Sequence, residues 1–456
     1  MGSEKDFQQE LFDFWKRHQL PEGVGVLVAL SGGGDSVALL HSLRQFAPRF
    51  SLHLQAAHLD HAIRDESARD VDFVKRLCRQ LDVPLTVERL DVPQLARERG
   101  QGLEEAGREL RREFLQGTAR RQDCSLIALG HHRGDQAETL LMRLVRGSGL
   151  TGLAAMRPCS GPFIRPLLTI SRYQIEDYLA AGGYDYVEDA SNNDLSYTRN
   201  RIRHQLLPEL ARLNPRLEEN LAGLSCRIAA EEDFWRQEVA RALEAVRRVQ
   251  GGELWLDRPA LLALHPALRA RVLRQALCEV RGDLHGLGAV HIEALEKLLT
   301  AAAPQAEIHL PKAWAARRYE RLWLRDAPPK PATPFSIQVA GPGEVALPGG
   351  GVLRFSLEAQ TQGESPEAVE FPAEAAPFPL TVRSFRPGDR FHPRNAPGSR
   401  KLKKYFIDAR VEREIRCSVP LVEGRQILWV AGLARCHQWQ CGEGSGPVLR
   451  VVLQPF

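Results

Sequence analysis

A glycine-rich loop near the start of the chain has the composition of an anion-binding turn. It consists of Ser31, Gly32, Gly33, Gly34, Asp35 and Ser36. The apolar segment 24–30 before it predicts a strand buried on both faces, and apolar residues from Val37 onward recur at helical spacing. A strand that leads into a helix through glycines leaves backbone N–H groups free at the positive end of the helix. The pattern therefore predicts a loop that holds phosphate or pyrophosphate.

The loop also has a purely structural interpretation. Glycine-rich turns between a strand and a helix are common in α/β domains, and Asp35 or Ser36 could serve as the helix N-cap. The Gly-Lys-Ser/Thr of a P-loop and the spacing of a dinucleotide-binding fingerprint are both absent. The string resembles instead the SGGxDS loop of N-type ATP pyrophosphatases, a resemblance that implies cleavage of ATP between its α and β phosphates and adenylation of a carbonyl oxygen.

Two histidines and two carboxylates form a second cluster of reactive side chains. The sequence His-His-Arg-Gly-Asp-Gln-Ala-Glu-Thr, residues 131–139, follows the apolar segment 125–130. Its side chains could bind phosphate, Mg²⁺ or an amine. In the alternative interpretation, Asp135 is a helix N-cap and Glu138, three residues later, completes a variant of the capping box ahead of a helix from Thr139.

Alternating strand and helix patterns must position these two clusters. The predicted strands are 24–30, 52–58, 85–90 and 125–130, and helices are predicted at 7–15, 71–81 and 105–122. This alternation predicts an α/β fold with a doubly wound parallel sheet in a catalytic domain of residues 1–215. Ligands of such sheets bind beyond the carboxyl ends of the strands, where Ser31, His58 and Gly130 are expected to lie.

The remainder of the chain predicts two further domains. One long amphipathic helix begins at Arg216, and helices at 259–280 and 290–303 and strands within 307–324 follow it. These elements predict a helical middle domain, 216–325, in which the long helix is either a connecting arm or the first helix of the domain. The proline-rich linker 326–334 leads to a small α+β C-terminal domain, 335–456.

Positive charge is concentrated in the C-terminal domain. The whole chain carries a net charge of only +4, but residues 378–416 contain eleven Lys or Arg against four Asp or Glu, an excess of 11 − 4 = +7. The candidate contacts to a polyanion are Arg386, Arg390, Arg400, Lys401, Lys403 and Lys404. Binding through such residues would be strongly salt-dependent. A solvated basic loop without a partner is the alternative.

The two clusters and three further motifs resemble the tRNA(Ile)-lysidine synthetase family. The further motifs are Arg-Gly-Ser-Gly at 146–149, Arg-Pro-Leu-Leu at 165–168 and the segment from Asp189 to Arg203. This resemblance implies an ATP-dependent ligase that adenylates the wobble cytidine of an isoleucine tRNA with a CAU anticodon. Adenylation releases pyrophosphate. Free L-lysine then displaces AMP from C2, which gives lysidine. ATP and Mg²⁺ are the implied cofactors.

The resemblance also implies roles for individual residues. The implied catalytic residues are Asp35, Arg108, His132, Asp135 and Glu138, with Asp35 and Asp135 as the Mg²⁺ ligands. The implied tRNA contacts are Arg199, Arg201 and Arg203, together with the six basic residues of the C-terminal domain, and the middle domain is implied to bind tRNA as well. Gly107 and Arg112 depart from the family pattern around the functional arginine. Arg108 is therefore our choice for that arginine and Arg111 the alternative.

Two other functions on the same fold are less compatible with the sequence. A tRNA thiolase usually needs Cys-x-x-Cys pairs, and none of the eight cysteines forms one. A tRNA-binding protein with a decayed ATPase domain would have lost loop residues or carboxylates that are present here. No apolar run reaches the length of a membrane span, and the charged start does not match a secretory signal, so a cytoplasmic protein is expected. A homodimer is compatible with the sequence.

Overall fold

The computed structural model describes residues 2–60, 67–100, 102–187, 195, 197–250, 253–394, 396–441 and 446–454. Within it the chain forms two compact units, Met1–Arg236 and Gln237–Phe456. The motif residues Asp189 to Asn192 lie outside the described part. The division into domains 1–215, 216–325 and 335–456 stays a prediction, since the boundary between the two units falls within a helix.

A six-stranded sheet forms the centre of the first unit. Its strands are β1 (Gly25–Ala29), β2 (His53–Asp60), β3 (Leu85–Arg89), β4 (Cys124–Ala128), β5 (Cys159–Ser160) and β6 (Phe163–Ile164). Their order is β3-β2-β1-β4-β6-β5, and all neighbouring pairs are parallel except β5 with β6. All four predicted strands are present, and the predicted doubly wound parallel sheet is confirmed.

Helices cover both faces of this sheet. The helices of this unit are α1 (Gly2–Arg17), α2 (Gly34–Phe46), α3 (Ser67–Gln80), α4 (Val92–Arg99), α5 (Leu103–Arg121), α6 (Arg133–Val145), α7 (Leu150–Leu153), α8 (Arg172–Gly182), α9 (Thr198–Arg201), α10 (Leu207–Leu213) and α11 (Leu217–Val246), of which α9, α10 and α11 pack with α6 rather than against the sheet. Val26 and Val28 of β1 pack into one core and Leu27 into another, so β1 is buried on both faces as predicted. The long helix expected from Arg216 is α11, which continues past the unit boundary.

The order of the strands places a switch point of the chain at the carboxyl ends of the central strands β1 and β4. The chain passes from β1 to β2 and β3 on one side and then returns to β4 on the other side of β1. At such a reversal, the loops that follow the two adjacent strands run in opposite directions, and ligands bind between these two loops. The glycine loop follows β1 and the His131-His132 segment follows β4, so both predicted clusters flank this point.

The second unit begins with a sheet covered by helices on one face. Its strands are β7 (Arg247–Gln250), β8 (Glu253–Asp257), β9 (Gln305–Leu310), β10 (Ala313–Arg318) and β11 (Arg321–Arg325), in the order β7-β8-β11-β10-β9. The helices are α12 (Arg258–Ala263), α13 (Pro266–Arg281) and α14 (Ala289–Thr300). The single helix expected at 259–280 is wrong, because His265 caps a new helix that has Pro266 in its first turn. Strands β7 and β8 were not predicted.

Antiparallel strands dominate the C-terminal part of the second unit. They are β12 (Ser336–Val339), β13 (Gly343–Ala346), β14 (Val352–Glu358), β15 (Ala368–Pro372), β16 (Leu380–Arg383), β17 (Arg390–Phe391), β18 (Arg400–Lys401), β19 (Leu421–Glu423), β20 (Ile427–Val430), β21 (Ala434–Arg435) and β22 (Val448–Gln454). They form the sheets β12-β16-β19-β20-β21 and β13-β14-β22-β15 and the pair β17-β18. With helix α15 (Leu402–Asp408), they confirm the predicted α+β character. Within the described residues, no helix is both long and apolar enough to cross a membrane.

Candidate active site

The glycine loop is closed by the hydroxyl of Ser36. The backbone N–H groups of Ser31 and Gly32 donate to Ser36 Oγ, each at 3.2 Å, and Ser36 Oγ donates to the carbonyl of Gly33 at 2.9 Å. Gly32 has φ +95°, a left-handed conformation that favours glycine. Helix α2 begins at Gly34, three residues earlier than predicted, so its free N–H groups belong to the loop itself. The N-cap is Gly33, and neither Asp35 nor Ser36 takes that role.

Gly130 brings the loop after β4 against the glycine loop. A Cβ atom at residue 130 would lie 3.1 Å from the backbone carbon of Asp35 and 3.2 Å from the backbone nitrogen of Ser36. These are backbone atoms of α2's first turn, and they cannot move without moving the loop. Any other residue at this position would therefore force the two loops to move apart by a few tenths of an ångström.

His132 caps helix α6 and thereby faces the carboxylates. The N–H of Gly134 donates to His132 Nδ1 at 3.0 Å, and the N–H of His132 donates to Asp135 Oδ2 at 3.0 Å. The alternative that Asp135 is the N-cap is wrong, because the helix starts at Arg133 and Asp135 is its third residue. With Nδ1 accepting, the ring directs Nε2 to within 3.8 Å of both Asp35 Oδ2 and Asp135 Oδ2.

The two aspartates at His132 have opposite electrostatic environments. Burial raises the pKa of Asp35 and the nearby Asp135 adds to this effect, which His132 only partly offsets. Burial alone would also raise the pKa of Asp135, but His132 and Arg199 outweigh it and hold that pKa below its ordinary value. Asp135 is therefore a stable carboxylate, whereas Asp35, whose side chain is 43% exposed, would gain most from a bound cation.

Arg199 and Arg203, which follow motif residues outside the described part, bind the carboxylates of α6. Arg199 Nε donates to Glu138 Oε2 and Arg199 Nη2 to Asp135 Oδ1, both at 2.7 Å. Arg203 Nη2 donates to Asp135 Oδ1 at 3.1 Å and to Glu138 Oε2 at 3.0 Å. Glu138 itself is only 2% exposed. Of the three arginines predicted to contact tRNA in this segment, Arg199 and Arg203 are thus engaged within the site, whereas Arg201 is exposed.

His131 belongs to the site but was not among the implied catalytic residues. Burial, with a contribution from Arg165 and other arginines, lowers the pKa of His131 to about 4, so the ring is neutral at pH 7. Its Nδ1 atom is buried and has no hydrogen-bond partner among the described residues. The sequence signal was present, since His131 directly follows the strand end, but the sequence does not distinguish the surroundings of two adjacent histidines.

The arginines of α5 lie beside different parts of the site. The charge of Arg111 contributes to the lowered pKa values of His131 and His58, which are caused mainly by burial. The charge of Arg108 contributes instead to the lowered pKa of Arg143, again after burial. Arg111 thus acts electrostatically on the two histidines and Arg108 on a neighbouring group of arginines. The choice between them stays a prediction.

Two carboxylates suit a magnesium ion that is shared with substrate phosphates. Among the residues that the structure describes, no group of three His, Cys, Asp or Glu side chains could hold a metal ion. Asp35 and Asp135, however, direct oxygens toward the same atom, His132 Nε2, next to the glycine loop. Mg²⁺ commonly takes one or two carboxylates and completes its shell with phosphate oxygens and water. The donor set therefore fits Mg²⁺ bound together with a nucleotide.

The six basic residues of the C-terminal domain lie in the second unit around a short hairpin. Arg390 of β17 pairs with Lys401 of β18, and helix α15 carries Lys403 and Lys404. Five of the six side chains are exposed, and the exception, Arg400, pairs with Asp408 at 3.0 Å. The structure thus groups these residues in the α15 and β17-β18 region.

Arg383 holds the Arg-Pro-Gly-Asp-Arg turn in place and was not predicted. Its buried guanidinium bonds Asp389 Oδ2 at 2.8 Å and Glu423 Oε1 at 2.8 Å. Asp389 Oδ2 in turn accepts the N–H of Arg386 at 2.7 Å, and Gly388 has φ +99°. Asp389 therefore stabilises the conformation of this basic loop.

Family models match three parts of the chain. A PP-loop domain matches residues 3–210, a TilS substrate binding domain matches 256–323, and a TilS substrate C-terminal domain matches 380–452. The first match contains the glycine loop and the His131-His132 segment, and the last contains the basic hairpin.

Curated relatives match almost the whole chain. The tRNA(Ile)-lysidine synthase of Geobacter sulfurreducens is 37% identical over 93% of this chain and 92% of its own length. The corresponding enzymes of Geobacillus kaustophilus and Caldanaerobacter subterraneus subsp. tengcongensis are 36% and 32% identical over 92% and 93% of this chain, covering 94% and 92% of their own lengths. Together with the glycine loop and its carboxylates, these matches show that the chain belongs to the tRNA(Ile)-lysidine synthase family.

Proposed function

We propose that this chain joins L-lysine to C2 of the wobble cytidine in a tRNA(Ile) with a CAU anticodon, using ATP. The observation that carries the proposal is the convergence of Asp35, His132, Asp135 and Glu138 beside a glycine loop at the switch point of the sheet. An anion cradle next to acidic and imidazole groups suits a reaction that expels pyrophosphate and then admits an amine.

The first step is adenylation of the cytosine. The 2-oxo oxygen attacks the α-phosphorus of ATP, the bond to the β-phosphate oxygen breaks, and pyrophosphate leaves. The backbone N–H groups of Gly34 to Ser36, in the first turn of α2, are suited to hold the pyrophosphate, whereas the N–H of Gly32 already donates to Ser36 Oγ. His132 Nε2 faces the same space and can donate a hydrogen bond to a phosphate oxygen, and Arg108 or Arg111 can offset negative charge on the α-phosphate.

The second step is displacement of AMP by lysine. The ε-amine attacks C2, the C2–O bond breaks, and AMP leaves with the former carbonyl oxygen. The amine must lose a proton to attack, and the buried carboxylate of Glu138 is the proposed acceptor. Arg199 and Arg203 already occupy its oxygens, so the lysine ammonium has to compete with them or displace them.

Mg²⁺ and tRNA complete the proposed complex. Asp35 and Asp135 would hold Mg²⁺, which neutralises phosphate charge when bound. The exposed basic residues of the C-terminal domain would bind the phosphate backbone, which positions a nucleic acid without reading its sequence.

Lysine incorporation tests the proposal directly. The protein is incubated with ATP, Mg²⁺, radiolabelled lysine and transcripts of CAU-bearing isoleucine or methionine tRNA. We expect label in the isoleucine transcript alone, and none with Asp35→Ala or Asp135→Ala. Label in neither transcript would refute the function, and label in both would refute the specificity. Pyrophosphate exchange that persists in both variants would refute the assigned roles of the aspartates.

A further inference from the structure

A cavity of about 340 Å³ lies in the C-terminal part of the second unit, and of the residues given a role above only Arg400 lines it. Its wall includes the side chains of Arg394, Arg400, Arg435, Tyr405 and Trp429. The volume lies at the lower end of the range of about 300–1,000 Å³ for small-molecule sites. The cavity can therefore take a group of the size of one nucleotide but not a helical stem.

The wall carries an excess of positive charge. Glu364 is the acid among the lining residues, against three arginines, which gives 3 − 1 = +2. Arg394 Nη1 bonds Glu364 at 2.7 Å, and Arg435 bonds the same carboxylate, so this acid is already neutralised. Arg394 is 44% exposed at this position and keeps further donors for a ligand. The chemistry of the wall thus favours an anion.

Tyr405 and Arg400 supply flat surfaces for a base. The guanidinium carbon of Arg400 lies 5.8 Å from the centre of the Tyr405 ring, and Phe391 packs edge-on against that ring with centroids 5.6 Å apart. Asp408 holds the other side of Arg400 at 3.0 Å. Because both planes are fixed by neighbours, a ligand would not have to order them. Aromatic rings and arginine planes are the surfaces on which unpaired bases stack.

The surroundings favour RNA over a free nucleotide. Lys401 follows Arg400 and pairs with Arg390 across the hairpin, and Lys403 and Lys404 precede Tyr405 on α15. These exposed cations extend the positive charge beyond the cavity, as a polymer of phosphates would require and a mononucleotide would not.

We infer that this cavity binds one unpaired nucleotide of the tRNA, with its phosphate at Arg394 and Arg400 and its base against Tyr405. The inference rests on tRNA being the substrate, as proposed above. It adds a site that distinguishes a single-stranded end or loop from a helical stem.

Filling the cavity tests the inference. Ala396 lines the cavity, so Ala396→Trp places an indole inside it without changing charge. The matched control is Ala359→Trp at an exposed residue of the same unit. Binding is measured, with the full chain and no ATP or lysine, to an RNA hairpin with an unpaired 3′ tail and to the same hairpin with a blunt end. Unchanged thermal midpoints of both variants establish that they are folded.

We expect the wild type and Ala359→Trp to bind the tailed hairpin about tenfold more tightly than the blunt one, and Ala396→Trp to lose this preference. Arg394→Gln should reduce it, whereas Arg354→Gln, at an ion-paired arginine of β14, should not. A wild type without a preference, or a preference that survives in Ala396→Trp, would overturn the inference. AMP that binds the wild type but not Ala396→Trp, with equal RNA binding by both, would instead assign the cavity to a free nucleotide. Because no turnover is measured, failure of lysine incorporation would not affect this test.

Discussion

Arg199, which is partly exposed, forms an ion pair with the buried carboxylate of Glu138, in which Nε lies 2.7 Å from Oε2. The same guanidinium also reaches Asp135, so a single arginine ties together the proposed magnesium ligand and the proposed proton acceptor. An ion pair with a buried member contributes little net stability, but removal of one partner leaves an uncompensated charge. The pair therefore fixes the geometry of the carboxylates while it also restricts their access to substrates.

Glu138→Gln should separate the two chemical steps. The amide keeps the shape of the side chain but cannot accept a proton, so lysine transfer should slow by about 100-fold or more. Pyrophosphate exchange, which needs only ATP and tRNA, should change much less. Both rates are measured on the same preparation.

Arg199→Gln and Glu98→Gln are the controls for this comparison. Arg199→Gln removes the ion pair but keeps the acid, so it should affect both steps by a similar factor. Glu98→Gln, on the exposed surface of α4, should affect neither. A Glu138→Gln variant that impairs exchange and transfer equally would show that this residue organises the site and does not act on the amine.

Gly130→Ala should displace the pyrophosphate loop. The added methyl group would meet backbone atoms of Asp35 and Ser36 at 3.1–3.2 Å, and overpacking of this kind typically costs about 1–3 kcal/mol. We expect a KM for ATP in pyrophosphate exchange that is about tenfold higher or more. Gly102→Ala is the matched control, because nothing lies within 4 Å of a Cβ at that residue. An unchanged KM in Gly130→Ala would mean that the two loops move apart without cost.

The sheet could be predicted from the sequence, but the contacts across the site could not. Continuous apolar runs such as Val24–Leu30 identify buried parallel strands, and the order of elements then determines where their loops meet. The N-cap at His132 was missed because aspartate is a far better capping residue than histidine, which drew the predicted cap to Asp135.

The arginine contacts were missed for a different reason. Arg199 lies 61 residues from Glu138, and no periodicity relates residues so far apart. The composition of this basic segment is also the same whether its arginines are exposed or bind carboxylates within the site. Arg383 is a similar case, since its burial between Asp389 and Glu423 depends on strand pairing that the sequence pattern does not reveal.

His131 should make the free energy of unfolding depend on pH below about 6.5. Its pKa of about 4 in the folded protein is below the unfolded value of about 6.5, so its contribution is fully present above pH 6.5 and is lost as the pH falls toward 4. From these two values, the loss between pH 7 and pH 5 is about 2 kcal/mol.

Denaturant unfolding of His131→Gln at both pH values measures this contribution. The variant should lose about 2 kcal/mol less than the wild type between pH 7 and pH 5. His53→Gln, at an exposed position, should behave as the wild type does. Equal losses in the wild type and in His131→Gln would show that the imidazole is accessible to protons in the folded protein.

Asp389→Asn should weaken tRNA binding although it removes a negative charge from a basic loop. Asp389 is bonded by Arg383 and accepts the N–H of Arg386, so the amide should loosen the turn that presents Arg386 and Arg390. We expect a Kd several-fold higher. Glu344→Gln removes the same charge from an exposed pair with Arg354 outside the basic loop and should leave binding equal or slightly tighter. Tighter binding by Asp389→Asn would mean that net charge outweighs loop geometry.

Replacement of Lys401, Lys403 and Lys404 by glutamine should reduce the salt dependence of tRNA binding. Each lysine that neutralises a phosphate releases about one counterion, so the slope of log K against log salt should become shallower by about 2–3. Binding is measured over roughly 50 to 200 mM salt. The matched control replaces Lys75, Lys312 and Lys330, which are exposed elsewhere along the chain, and should keep the wild-type slope. Both triple variants lower the net charge equally. If the slope of log K against log salt became equally shallow in both, overall charge, and not contact at α15 and β18, would govern binding.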